Sequence, residues 1–287
     1  MDRKNLFNQR RILIPLYRYG IYDIEVLGRL NYSRAAQPLR THVHHGGLEI
    51  CYLARGRQVY SVGDRQYRLT GGDVFITLPD EAHGTGRMPE EKSVLYWLVV
   101  RFSGRNRSFL GLPDKDGAEL RHALLGMRHR HFKGSPTLCK ILNDIVITYH
   151  TKGMPLKTAY LRNKIVEFLI MVVACARSGG VIGKNSAMQG LLDFINGRIT
   201  EKMTVPDLAR AVGLSASWLK AKFKQETGIP IAEYVLRKKI DLAKELLKKG
   251  EKNVTEAAFD LDFSSSQYFA TVFKRYTGKK PGEWKHC

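Results

Sequence analysis

The chain has 287 residues, 44% of them hydrophobic, which suits two domains with ordinary cores. Its 47 Lys and Arg against 27 Asp and Glu give a formal net charge of +20, which favours a polyanionic partner. Four cysteines without pair spacing (Cys51, Cys139, Cys175, Cys287) and a longest apolar run confined to 166–176 exclude a disulfide scaffold, a cysteine zinc site and a membrane span.

The N-terminal MDRKNLFNQRR is charged and lacks the apolar core of a signal peptide, so a soluble, cytoplasmic protein is expected. From Leu48 to Phe102 the period becomes that of strands. LEICYL, RQVYSV, RQYRL, DVFITL and VLYWLVVRF predict five short strands, with a tight hairpin at Gly63-Asp64 and a further turn at Gly71-Gly72-Asp73. Short strands at this spacing indicate a small barrel or jelly roll. Two helices follow, near PTLCKILNDIVITYH and LKTAYLRNKIVEFLIMVVACA. In the second, Leu161, Ile165, Phe168, Leu169 and Val172 form one apolar stripe, and Met171, Val173 and Ala174 carry apolarity beyond it. A helix apolar on more than one side needs a second partner, either the barrel or another copy of itself. SGGVIGKNS then reads as a flexible linker. The expected division is 1–178, a linker at 179–186, and 187–287.

In the last segment, Thr204 is a good N-cap, Pro206 lies in the first turn, and Leu208, Ala211 and Val212 form a helical face that Gly213 ends. A second helix starts from Ser215, with Leu219 and Phe223 inward and Lys220, Lys222 and Lys224 outward. Two short helices across a tight turn are the signature of a helix-turn-helix. The pattern LSASWLKAKFKQETGIP returns as FSSSQYFATVFKRYTGKKP, which places Ser215 on Ser264, Leu219 on Phe269, Phe223 on Phe273 and Gly228 on Gly278. Between the copies, Ile231, Tyr234, Val235, Ile240, Ala243, Leu246 and Leu247 stripe one long helix that Gly250 ends. Such a helix holds two readers at a fixed separation, suited to successive major grooves about 34 Å apart.

LARAVGLSASWLKAKFKQETG, KIDLAKELL and FSSSQYFATVFKRYTGKKPGEW together resemble the DNA-binding domain of AraC/XylS transcription regulators, and the strand order resembles their cupin-like sensor domain. The resemblance implies an α+β protein: a cupin-like β-barrel with a helical dimerisation segment, joined to an all-α domain with two helix-turn-helix units. It implies double-stranded DNA, a small-molecule effector, a second copy of the chain and, for an activator, RNA polymerase as partners. The positions that meet base edges in that family are here Ser217, Lys220 and Ala221 in the first unit and Ser266, Gln267, Ala270 and Thr271 in the second, with Lys224 and Lys274 beside them. Lys220 suits guanine O6 and N7, Gln267 suits adenine, and the methyls of Ala270 and Thr271 suit thymine. Lys222, Lys224, Lys239 and Lys274 are expected at phosphates. Asp262 stands where the second turn has Gly in the family, and Ala221 and Thr271 stand where an Arg is common.

HVHHGGLEICYLARG sets His42, His44, Glu49 and Gly56 at the spacing of the first cupin metal motif, and LPDEAH brings His83 near the place of the second. The Gly before the first His and the later Asn are absent, and the interval from Pro79 to His83 is one residue short. These residues are therefore expected to contact an organic effector, with no metal or cofactor. Arg40, Tyr52, Trp97 and Arg101 are further contacts, since aromatic faces stack on sugar rings and Arg forks onto hydroxyls or carboxylates. The expected function is a sequence-specific transcription regulator, an activator, responding to a small polar metabolite such as a carbohydrate. The competing class is a metal-dependent cupin enzyme fused to a DNA-binding domain. No catalytic residue is assigned.

Overall fold

The computed structural model describes residues 3–102, 108–178 and 186–284, so the expected linker lies, apart from Ser186, outside the described residues. The chain forms two compact units, one of Met1–Tyr32, Pro38–Met88 and Ser93–Ile182, the other of Ser33–Gln37, Pro89–Lys92 and Gly183–Cys287.

The first unit opens with α1 (Arg3–Asn8) and continues through β1 (Arg11–Ile14), β2 (Ile24–Tyr32), β3 (Gly47–Val62), β4 (Arg65–Thr70), β5 (Asp73–Thr77), β6 (His83–Gly84) and β7 (Ser93–Arg101). Then come α2 (Asp114–Leu125), β8 (His131–Lys133), α3 (Pro136–His150) and α4 (Lys157–Arg177). Hydrogen bonding runs β1-β2-β7-β3-β5-β8, with β4 and β6 also paired to β3. Every strand pairing is antiparallel.

LEICYL and RQVYSV, expected as separate strands, are one strand of 16 residues. The register against β7 slips between Leu53 and Arg55, and Gly56 takes φ 101°, so the backbone bends there without leaving the sheet. The first half of β3 pairs with β7 and β5. Its second half pairs with β4 and β6, and the Gly63-Asp64 hairpin is where the sequence placed it.

Alternation along the strands gives the sheet two buried faces. One gathers Cys51 and Leu53 from the first half of β3, Tyr60 from the second, Leu69, Phe75 and Leu95. The other presents Ile50, Tyr52, Val74, Tyr96 and Leu98 to α3 and α4, where they meet Ile141, Ile145, Leu161, Ile165, Phe168 and Val172. Asp73 anchors the turn before β5. Its carboxylate accepts from Thr70 N at 2.7 Å, His131 Nε2 at 3.0 Å and Lys133 Nζ at 3.0 Å. Burial alone would raise its pKa, but these donors outweigh burial and lower it.

The second unit is helical: α5 (Ser186–Gly197), α6 (Val205–Ala211), α7 (Ala216–Thr227), α8 (Ile231–Lys249), α9 (Val254–Asp260), α10 (Ser266–Thr277) and α11 (Pro281–Trp284). Thr204 and Asp207 form a capping box at α6, and Asn253 and Glu256 form one at α9. Ser215 caps α7 by accepting from Trp218 N at 3.2 Å. Its counterpart at α10 is Ser265, which accepts from Tyr268 N at 3.1 Å, and not Ser264, which is the one extra residue of the second turn. Asp262 does take the left-handed backbone of its counterpart Gly213, with φ 51° against 67°.

Helix α8 serves two separate cores. Ile231 joins Leu191, Ile195, Leu208, Leu219 and Phe223. Ile240, Ala243 and Leu247 join Ala257, Leu261, Phe269, Val272 and Phe273. Two of its cations are buried. Lys239 is 6% exposed and lies 3.4 Å from Asp262, which removes it from the set expected at phosphates. Arg237 is 1% exposed within this unit, where it meets Glu91 at 2.6 Å, Glu233 at 3.0 Å and the Lys92 carbonyl at 2.6 Å. Lys92 pairs with Glu233 at 2.6 Å, and the Tyr276 ring lies 4.9 Å from the Arg237 guanidinium.

No helix among the described residues is long and apolar enough to cross a membrane.

Candidate functional site

Four of the expected effector residues converge in the first unit. His42 and His44 precede β3, Glu49 lies on it, and His83 opens β6. The backbones of His42 and His83 exchange N–H···O bonds of 3.0 Å in both directions, which sets the two side chains beside each other despite the shortened interval after Pro79. Their rings stand 4.3 Å apart, with the His44 ring 5.1 Å from His42 and 5.5 Å from His83. The carbonyl of His44 accepts from Gly47 N at 3.1 Å and Asp80 N at 3.2 Å, fixing the turn that carries it. One ligand atom from each of His42, His44, Glu49 and His83 lies within 4.8 Å of all the others.

The rings are held from behind. His42 Nδ1 contacts the Arg40 carbonyl at 3.0 Å and His83 Nδ1 the Glu81 carbonyl at 2.9 Å. A carbonyl only accepts, so each Nδ1 carries the proton and Nε2 is the remaining atom. His83 is 1% exposed. Its buried Nε2 stands 2.8 Å from Glu49 Oε2, an ion-pair contact. Glu49 Oε1 lies 3.9 Å from His44 Nε2. Burial lowers the pKa of His44, partly offset by Glu49. Burial pulls His83 the same way, but the Glu49 carboxylate and the Glu81 carbonyl outweigh it and raise its pKa.

The other expected contacts divide. Trp97 is opposite Cys51 in register and belongs to the same buried face, so it shares the Glu49 side of the sheet. It also lies over Gly28, where any Cβ would come 2.1 Å from the ring. Tyr52 points to the opposite face and packs in the core with α3 and α4, which removes it from the cluster. Arg101 is engaged by Glu25 at 2.5 Å and by the His45 carbonyl. The Arg40 side chain is exposed, and what Arg40 gives the cluster is its carbonyl.

In the second unit, α7 and α10 bury Leu219 and Phe223, and Phe269 and Phe273, and turn their other faces outward. Ser217, Lys220, Ala221 and Lys224 are exposed on α7, and Gln267, Thr271 and Lys274 on α10, with Ser266 and Ala270 half-buried. Lys222 is half-buried and paired with Glu226 at 2.8 Å. The sequence reading passed over Trp218 and Tyr268, 50% and 45% exposed at equivalent positions of the two helices. Their signal is a large aromatic set one residue before the buried Leu219 and Phe269.

A family model for an AraC-like ligand binding domain matches residues 31–159, and a helix-turn-helix domain model matches 208–286. The uncharacterized HTH-type transcriptional regulator YfiF of Bacillus subtilis is 26% identical over 250 residues, covering 83% of this chain and 76% of that protein. The HTH-type transcriptional activator RhaS of Citrobacter koseri is 22% identical over 240 residues, covering 81% and 82%. The HTH-type transcriptional activator RhaR of Escherichia coli K12 is 23% identical over 252 residues, covering 84% and 86%. A sheet domain of the AraC ligand-binding type, joined to a double helix-turn-helix, places the chain in the AraC family of DNA-binding transcription regulators.

Proposed function

We propose that the chain is a cytoplasmic, sequence-specific transcription activator that binds double-stranded DNA as a homodimer, engages RNA polymerase and responds to a small polar metabolite such as a carbohydrate. The observation that carries the effector reading is the convergence of His42, His44, Glu49 and His83 on the face that Trp97 shares. Imidazoles and a carboxylate match hydroxyl-rich ligands, and an indole offers a stacking surface. The activator reading is supported by the RhaS and RhaR relatives, which are named as activators. For the homodimer, support comes from an exposed stripe on α4 around Ile170.

His44→Ala is expected to weaken the effector-induced change in DNA affinity while leaving affinity without effector as it was. Fluorescence anisotropy on a labelled operator measures both. Equal loss of both would assign His44 to folding.

Base readout is tested by selecting binding sites with two variants. Lys220→Ala should cost about 1–3 kcal/mol and relax one position in the first half-site, a guanine. Gln267→Ala should do the same about one helical turn away, at an adenine. If both variants lose affinity evenly for all sequences and only the salt slope falls, the two side chains hold phosphates and the readout assignment is wrong.

A further inference from the structure

In the first unit, Arg29 lies on β2 opposite Tyr96 of β7, on the sheet face that packs against α3 and α4, and is 5% exposed. Its Nε donates to the Tyr96 hydroxyl at 3.0 Å, which donates in turn to Asn143 Oδ1 on α3 at 2.6 Å. The Phe7 ring of α1 is centred 5.0 Å from the guanidinium carbon and the Tyr96 ring 5.7 Å. No carboxylate answers the charge. Among the described residues Arg29 enters no ion pair, and its buried Nη1 has no hydrogen-bond partner. Tyr96 does not supply an anion, since burial pushes its phenol up to about 12 against the pull of Arg29. Nor does Cys139, 3.6 Å from Asn143 Nδ2, because burial raises its thiol too. Two ring faces recover only part of the hydration that a guanidinium loses, and buried charges are otherwise paired.

We propose that Arg29 anchors a binding site for a small monocarboxylate, held through Nη1 of its guanidinium beneath Phe7, on the sheet face opposite the histidine cluster. One negative charge balances one guanidinium, whereas a phosphate dianion would leave a surplus in the core. The planar pair of carboxylate oxygens also matches the guanidinium fork, which a spherical ion does not. The cover is light. Phe7 is half-buried on a helix of six residues, and Asn31 Nδ2 holds its carbonyl at 3.1 Å, so a shift of α1 admits a ligand without opening the sheet. The site is independent of the effector reading above, because Tyr96 and Trp97 are neighbours on β7 and point to opposite faces.

The test uses the full-length protein in Tris sulfate, free of chloride and carboxylates, titrated with sodium acetate, with sodium chloride and with acetamide, the neutral isostere. Acetate should raise the thermal midpoint saturably and show a broadened methyl resonance as it exchanges with the site. Chloride should do less, and acetamide nothing. Arg29→Met should abolish the acetate response, and its midpoint without added anion should equal or exceed the parent's, because an uncompensated buried charge is gone. Arg29→Lys keeps the charge without the fork and should bind acetate more weakly than the parent. No saturable response in the parent, or one that Arg29→Met retains, overturns the site. If the Met variant does not fold, Arg29→Lys decides, and acetate bound as tightly as by the parent overturns the site. Acetamide acting as acetate does would remove the role of charge, and chloride saturating the site equally well would overturn the carboxylate assignment. Midpoint and resonance width are read without DNA, so they stand or fall apart from any effector-induced change in DNA affinity.

Discussion

Phe168→Asp is expected to unfold the first unit, and Ile170→Asp, two residues on, to leave it folded and monomeric. The helical pattern put Phe168 on a stripe that needs a partner, the barrel or a second copy, and the resemblance favoured the second copy. Instead its ring is 1% exposed, inside the core that α3 and α4 share with the sheet. Truncating a buried Phe costs about 3–5 kcal/mol, and a carboxylate at the same place adds an unpaired buried charge. That sum approaches the whole stability of an ordinary domain. On the outer side of α4, Ile170 at 55% exposure and Ala174 are exposed, with Val166 and Met171 partly buried beside them. Ile170 itself lines a groove of about 430 Å³, together with Leu110, Leu112, Arg162 and Val166. Ile170 lies outside the buried core of the unit, so a charge there should act chiefly on the proposed homodimer. Urea unfolding separates the first effect and sedimentation velocity the second. A well-folded Phe168→Asp protein would contradict the core assignment, and an Ile170→Asp protein that still dimerises would exclude this face.

Arg237→Ala is expected to lower the stability of the second unit by about 3–5 kcal/mol, because it strands carboxylates whose charge was compensated out of water. Glu91 meets the guanidinium at 2.6 Å, and Glu233 is shared between Arg237 at 3.0 Å and Lys92 at 2.6 Å. Burial would raise the pKa of Glu233, and Lys92 and Arg237 outweigh burial and lower it. A carboxylate depressed in the folded state stabilises above its unfolded pKa and loses that contribution as pH falls through the folded value. The unit should therefore weaken on acidification. Arg237→Lys should recover only part of the loss, since an ammonium cannot fork to two carboxylates and a carbonyl. Denaturant midpoints for Arg237→Ala, Arg237→Lys and the parent at neutral and acid pH measure both effects. An Arg237→Ala protein within about 0.5 kcal/mol of the parent would mean that the network contributes nothing net.

What could be read in the sequence followed the range of the signals. Caps, turn residues and the 3.6-residue period are local, so Thr204, Gly213 and Ser215 mark the first helix-turn-helix, and the repeated pattern marks the second with Asp262 at its turn. The sheet was less legible. Ala54-Arg55-Gly56 looks like a break between strands because a bulge and a turn share the same small residues, and only pairing with β7 and β4 separates them. β2 escaped notice because Gly28 interrupts its apolar pattern, and that glycine answers to Trp97 lying on it, far away in the chain. The histidine cluster was visible as spacing, since three of its four members fall within eight residues of one another and the fourth follows a turn. Arg237 and Lys239 could not be placed. Nothing local to α8 announces that their partners come from Glu91, Lys92 and Asp262.

Because α8 gives its two halves to different cores, the DNA-binding unit has two centres of cooperativity joined by one helix. Each recognition helix depends for its order on its own cluster, Leu219 and Phe223 in one and Phe269 and Phe273 in the other, so a local opening of one need not melt the other. With α7 and α10 as the two proposed readers, one is expected to hold DNA while its twin samples neighbouring sequence, so that occupancy of a half-site becomes a state in its own right between bound and free. On a duplex whose two half-sites differ in quality, the weaker one sets how long that intermediate lasts, and residence time is governed separately from overall affinity.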